Sequence, residues 1–162
     1  MLFKNLLYNS NMVDKFYYKS PVGVLEIEFQ DKALVGLKFV ESVTGSNGTK
    51  DYGIEVIKQL DEYFAGARTK FDLNIMLVGT EFQKKVWTEL LKIPYGKTKS
   101  YQEIAEALGN PNAQRAVGSA CNKNPMLIVI PCHRVISKSG NLTGFAGGLK
   151  AKEGLLKLEN TI

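Results

Sequence analysis

Between Ser100 and Asn124 the chain reads SYQEIAEALGNPNAQRAVGSACNKN. Ser100 followed three residues later by Glu103 is a capping box, and it opens a short helix with Tyr101, Ile104, Ala105 and Leu108 on one side. Gly109-Asn110-Pro111-Asn112 ends that helix as a turn. A further helix is predicted from about Pro111 to Asn122, and its two faces differ. Ala113, Ala116, Val117, Ala120 and Cys121 recur at i, i+3, i+4, i+7 and i+8, which assigns them to the buried side. Asn112, Arg115, Gly118, Ser119 and Asn122 fall opposite, all small or polar except the arginine. A short helix, a glycine-containing turn and a helix with small exposed side chains are the ingredients of a helix-turn-helix. An ordinary helix pair in a small domain fits the same pattern.

Upstream, Thr80 and Gln83 make a second capping box, followed by a predicted apolar stripe of Phe82, Val86, Trp87, Leu90 and Leu91 up to Pro94-Tyr95-Gly96. The first 79 residues read as a small α/β module without a chemical motif. Residues 22–40 alternate (Leu25, Ile27 and Phe29 against Val24, Glu26 and Glu28), break at Gln30-Asp31-Lys32 and resume from Leu34 to Phe39, which predicts a hairpin. Glu41 to Gly53 is rich in Ser, Gly and Asn and reads as a loop. Val56, Ile57, Leu60, Tyr63 and Phe64 then fall at helical spacing, and Phe71 to Val78 has the look of a strand.

Composition narrows the classes. At 162 residues, 44% hydrophobic and 23% charged, the chain fits a globular protein. Met1 to Asn11 reads as a cytoplasmic tail, since its apolar patch is interrupted and lacks a cleavage-site pattern. No run approaches the ~18 apolar residues of a membrane span. Two cysteines and one histidine build neither a disulfide framework nor a usual structural zinc site. No metal is therefore expected. The net charge of +5 is uneven: residues 1–79 hold nine Lys/Arg against ten Asp/Glu, and residues 80–162 hold twelve against six. A basic second half suggests an anionic partner such as nucleic acid, although such an excess also occurs in ordinary domains.

Downstream of the helix pair, Asn124-Pro125 leads into MLIVI, an apolar run of strand type, and then into Pro131-Cys132-His133-Arg134. A buried cysteine is commonly only a small hydrophobe, which is the reading for Cys121. For Cys132, the adjoining imidazole and two cations within reach, Arg134 and Lys138, could stabilise a thiolate, making it a candidate nucleophile. Neighbours on a strand point to opposite faces, so Cys132 and His133 touch only if the chain bends there, or else act through a water. In the last predicted helix Leu155 and Leu156 define the inward side, and Glu159 falls at its edge, either as a solvated helix end or as a partner for the histidine. At this level a DNA-binding module with an inert Cys132 and a thiol enzyme both remain open.

The same residues, taken in order, resemble the O6-alkylguanine-DNA alkyltransferases, also called methylated-DNA–protein-cysteine methyltransferases. Pro131-Cys132-His133-Arg134-Val135, with Ser139-Gly140 and Gly144 to Leu149 after it, is similar to that family's active-site signature. The likeness continues back through Asn124-Pro125, Gln114 to Gly118, Gly109-Asn110-Pro111, Ser100-Tyr101-Gln102 and Gly79 to Gln83 with Trp87. It covers essentially all of residues 79–162, while residues 1–78 match only in position and general pattern.

The resemblance implies an α+β chain, with an N-terminal RNase-H-like scaffold over 1–78 and a winged-helix-like domain for DNA binding and alkyl acceptance over 79–162. It implies a cytoplasmic monomer that rotates O6-alkylguanine out of duplex DNA and takes the alkyl group irreversibly, without a cofactor, and it leaves open whether O4-alkylthymine is also accepted. By resemblance Cys132 is the acceptor, His133 activates it through a water, and Glu159 orients the imidazole. Tyr101, which spacing alone would put in the core, helps rotate the nucleotide and donates a proton to the departing base. Arg115 is the finger that fills the vacated space in the duplex, and Ser119 belongs to the small-residue face lying close to DNA. Gln102, Asn110 and Lys138 align with DNA-contacting positions, and Asn124 shapes the turn before the active-site strand. Phe145 and Ala146 line the base pocket, where some relatives carry a tyrosine and a more polar residue.

Overall fold

The computed structural model describes residues 13–45 and 50–162; the reading of Met1 to Asn11 as a tail lies outside them. Three antiparallel strands, β1 (Asp14–Ser20), β2 (Gly23–Gln30) and β3 (Ala33–Val40), form a sheet in that order. The expected hairpin is β2–β3, and its turn residues Asp31 and Lys32 both have positive φ (49° and 65°). Two left-handed central residues give a turn whose twist matches that of the paired strands. Leu25, Ile27 and Phe29 enter the core, while Glu26 on the other face is closed over by Lys15 at 3.1 Å and Lys38 at 3.0 Å. The β1 strand has no counterpart in the sequence reading, although Phe16-Tyr17-Tyr18 is a β-favouring run.

Helix α1 (Asp51–Phe64) packs on the sheet and takes in the last three residues of the expected loop. Gly53 misled there: a Cβ at that position would lie 2.5 Å from the Phe16 ring, so this glycine permits close helix–sheet approach rather than marking a loop. Helix α2 (Glu81–Leu90) has the expected Thr80–Gln83 capping box. Its stripe is narrower than predicted, because Val86, Trp87 and Leu90 are buried but Phe82 and Leu91 are 37% and 41% exposed. Trp87 donates its indole N–H to Ala120 O at 2.9 Å, which ties α2 to the helix that carries Arg115.

The two-residue strand β4 (Lys99–Ser100) runs into α3 (Tyr101–Ala107) through the Ser100–Glu103 capping box, and α4 (Gln114–Asn122) follows after a tight turn. The α4 helix begins at Gln114 rather than near Pro111, because Asn110 to Ala113 close a turn of their own (Ala113 N–H to Asn110 O, 3.0 Å). Ala113, Val117, Ala120 and Cys121 are buried as expected, but Ala116 is exposed beside Arg115. The apolar stripe is thus one position narrower, and the small-residue outer face wider. A short 3-10 turn (Cys132–Arg134) leads to β5 (Val135–Ile136), which pairs in parallel with β4, and α5 (Leu149–Leu158) closes the chain.

Two expected strands are absent. Residues 71–78 contribute one bridge, Ile75 to Leu34, and MLIVI bridges β3 only between Met126 and Leu37. The outer edge of β3 is shared between these two segments: Leu34 bonds to Asn74 and Met76, and Leu37 bonds to Pro125 and Leu127. Neither segment keeps pace with β3 long enough to form a strand. MLIVI then turns back on itself (Ile130 N–H to Met126 O, 2.9 Å) around Ile128 at φ 75°. That conformation is costly for a β-branched residue and is held by complete burial of the loop.

Candidate active site

The apolar turn exists to deliver Pro131-Cys132-His133-Arg134 into the interior. Because Cys132–Arg134 is 3-10 rather than extended, the chain bends where it was expected to alternate, and Cys132, His133 and Arg134 are all buried. Asn124 fixes this segment from below: its amide N–H donates to Ile130 O at 2.8 Å and to Cys132 Sγ at 3.1 Å, and its Oδ1 accepts from Met126 N–H at 2.9 Å. Three of its bonds thus link the end of α4 to the thiol.

His133 Nε2 lies 2.8 Å from Glu159 Oε1. An ionised carboxylate only accepts, so Nε2 carries the proton and Nδ1 is left as the basic nitrogen. Nδ1 is buried and has no hydrogen-bond partner among the described residues. Burial holds His133 below its ordinary value in spite of Glu159, keeping it neutral and able to accept a proton. Burial alone would raise Glu159, but hydrogen bonds from His133 and Arg134 outweigh it and hold the carboxyl at about 2. Arg134 grips both oxygens at 2.9 Å and donates to Ile93 O at 2.7 Å. Tyr63 donates to Oε1 at 2.6 Å.

Two electrostatic expectations are corrected. Arg134 is committed to Glu159, and Lys138 is exposed, so neither is the thiol's cation. Burial pushes the Cys132 thiol up to about 11 against the lowering pull of Asn124 and Lys152, so the resting group is a thiol rather than a thiolate. Cys121 is pushed by burial up to about 12, as an inert core cysteine should be.

Sequence reasoning missed Lys152. It is fully buried without a carboxylate partner among the described residues, donates to Val135 O at 2.6 Å and Thr143 O at 2.9 Å, and acts electrostatically on Cys132. A signal existed: Lys152, Leu155, Leu156 and Glu159 follow the i, i+3, i+4, i+7 spacing of one buried face.

The remaining predicted residues fall into two groups. Tyr101 is half-buried at the start of α3, with its hydroxyl 3.4 Å from Thr143 O and its ring over Gly118 of α4. Phe145 is partly buried against Phe39 (ring centroids 6.4 Å apart), and Ala146 is exposed next to it. Tyr101 is linked to the thiol through Thr143, whose carbonyl also accepts from Lys152, the cation that acts on Cys132; Phe145 and Ala146 follow Thr143 in the same loop. Arg115, Ser119, Asn110 and Lys138 are exposed, and Gln102 is half-exposed and bonded to Glu106 and Gln114. They form an outer surface and take no part in the buried network.

Both parts of the chain have counterparts among known proteins. Residues 14–77 match the family model for the 6-O-methylguanine DNA methyltransferase ribonuclease-like domain, and residues 81–161 match the DNA-binding domain of the same family. A methylated-DNA–protein-cysteine methyltransferase of Methanosarcina acetivorans is 44% identical over 153 residues, covering 89% of this chain and 96% of that protein. The Mycobacterium leprae protein of the same name is 48% identical over 145 residues, covering 86% and 88%. The solved O6-methylguanine methyltransferase of Mycobacterium tuberculosis superimposes with a TM-score of 0.84 at 42% identity, covering 93% of this chain and 94% of that one. An OGT of the same organism solved in complex with DNA gives 0.83 at 45% identity, covering 92% and 94%. With both halves matched and relatives this similar along nearly their whole length, the α+β chain belongs to the methylated-DNA–protein-cysteine methyltransferase family.

Proposed function

We propose that the chain repairs O6-alkylguanine in duplex DNA by moving the alkyl group onto Cys132 Sγ, with a domain division between residues 78 and 79. The observation that carries this reading is a buried thiol next in sequence to a buried neutral imidazole whose basic Nδ1 has no partner among the described residues. The thiol proton passes to Nδ1, through a water, and Glu159 stabilises the imidazolium that forms. Sulfur attacks the alkyl carbon, the carbon–O6 bond breaks as the carbon–sulfur bond forms, and the departing guanine takes a proton from Tyr101. A resting thiol near 11 suits this sequence, because the nucleophile is made only when base and substrate are in place.

The nucleotide must leave the stack to reach Cys132, at a cost of a few kcal/mol. The exposed face of α4, with Arg115 flanked by Ala116, Gly118 and Ser119, fits a minor groove, where readout is degenerate. In this reading Arg115 occupies the vacated space, Asn110, Gln102 and Lys138 meet the DNA backbone, and Phe145 and Ala146 border the extruded base. The resulting thioether has no easy hydrolytic exit, so each molecule acts once. All proposed groups come from one chain, which a monomer satisfies, and two free cysteines suit the reducing cytoplasm. No helix among the described residues is long and apolar enough to cross a membrane.

The test is intact-protein mass spectrometry after incubation with a duplex containing one O6-methylguanine. Wild type should gain one methyl mass, mapped to Cys132, and Cys132→Ser should gain none. Intact DNA binding with no mass gain would sink the reading.

A further inference from the structure

Glu159 meets a group from the opposite half of the chain. Tyr63 lies in α1, fully buried, with its ring against Phe64, Phe71 and Tyr95 (centroids 5.2, 5.4 and 6.0 Å) and its hydroxyl 2.6 Å from Glu159 Oε1. That oxygen is the one His133 uses, so the tyrosine and the histidine donate to the same atom, with Arg134 as a third donor at 2.9 Å. Oε2 is occupied by Arg134 Nε at 2.9 Å and approached by Gly96 N–H at 3.5 Å. We propose that Tyr63 is a positioning residue through which the N-terminal domain sets the strength of the His133–Glu159 bond, and hence the basicity of the nitrogen that activates Cys132.

A buried carboxylate oxygen has limited charge to share. A short bond from a neutral phenol draws density away from Nε2–H, and a weaker acceptor there makes His133 a weaker base. Tyr63 can play this part because burial, with Glu159 beside it, drives its own ionisation far up and keeps it a donor. Among the described residues, the charged and titratable groups that face the pair are few: Tyr63 from α1, Tyr95 from the loop after α2, Arg134 from the 3-10 turn, and Lys152 from α5. Of these, Tyr63 is the neutral group bonded directly to the shared oxygen. Arg134 supplies fixed charge; Tyr63 supplies an adjustable donor.

This inference rests on the repair reading, in which His133 is the base, and the two can fail separately. His133 is the chain's single histidine, so its Nε2–H resonance can be followed in untagged, 15N-histidine-labelled protein without ambiguity. Tyr63→Phe keeps the ring packing and removes the donor; it should move that proton downfield and raise the midpoint of the acid limb of the transfer rate by about 0.5 to 1 pH unit. Replacing Tyr63 by 3,5-difluorotyrosine, a stronger donor of nearly the same shape, should move both in the opposite direction, and it decides the matter if the phenylalanine variant does not fold. Phe71→Leu disturbs the same aromatic cluster without touching Glu159 and should move neither. Shifts of one sign in all three variants, an unmoved resonance, or a moved resonance with an unmoved rate profile would each overturn the inference. A wild type that leaves Cys132 unalkylated, or shows no acid limb, would instead overturn the assignment of His133 beneath it.

Discussion

Asn124 Nδ2 stands 3.1 Å from Cys132 Sγ and 2.8 Å from Ile130 O, so a single amide both shapes the apolar turn and donates to the thiol that the proposed reaction alkylates. The donation gains strength as negative charge develops on sulfur, which favours the reacting state over the resting thiol. Asn124→Ala should therefore slow single-turnover transfer from an O6-methylguanine duplex by about 10- to 100-fold, the range expected for losing a hydrogen bond to a charged group. A rate within a factor of two of wild type, in a folded variant, would confine Asn124 to the turn.

Lys152 is the cation that acts on Cys132 through the interior, while its own ammonium is held down by burial. Lys152→Met keeps the length and removes the charge. The thiol should become harder to ionise, so that its alkylation by iodoacetamide shows a higher midpoint, and transfer should slow by about tenfold. The Val135 and Thr143 carbonyls also lose a donor, at a cost to stability of about 1–3 kcal/mol by urea titration. An unchanged iodoacetamide profile would leave Lys152 with the loop-holding role alone.

Most of the helical scaffold was legible in the sequence because capping boxes and 3.6-residue periodicity are local. Thr80–Gln83 and Ser100–Glu103 cap as read, and the separation of Arg115 from Val117 on α4 follows from spacing alone. What escaped depends on which distant segment lies alongside. MLIVI and residues 71–78 have strand composition, yet they split one edge of β3 between them, and no local pattern records that competition. At the site, the residues alone made Cys132 a candidate nucleophile and left Glu159 between a solvated helix end and a partner for His133, the family resemblance assigned the roles, and neighbours in sequence suggested the wrong cation. Arg134 follows Cys132 by two residues and turns away to Glu159, whereas Lys152 approaches from a helix twenty residues on.

The buried network should make the fold lose stability on acidification in two stages. Burial depresses His133 from its ordinary 6.5, so below that pH the unfolded chain binds a proton that the folded chain resists, and stability falls as the pH drops. Glu159, held at about 2 against an ordinary 4.5, contributes stability that is complete above 4.5 and is lost on the way down to about 2. Urea midpoints should accordingly decline between about pH 7.5 and about pH 5, and His133→Asn should flatten this upper stage. A midpoint constant across that range in wild type would show that His133 protonates as readily folded as unfolded.

Arg115 separates access to the base from the chemistry performed on it. It is exposed on α4, so Arg115→Ala should change stability by no more than about 0.5 kcal/mol. If its side chain fills the space left by the extruded nucleotide, its loss removes stabilisation only from the flipped duplex. Transfer from duplex DNA should then slow by about tenfold or more, a fraction of the few kcal/mol that flipping costs, while reaction with free O6-methylguanine, which needs no flipping, should keep its wild-type rate. Binding to undamaged DNA should weaken more modestly and retain its steep salt dependence, because the other cations of the basic second half still neutralise phosphates. Equal slowing on duplex and free base would mean that Arg115 acts on the chemistry and that the nucleotide leaves the helix without it.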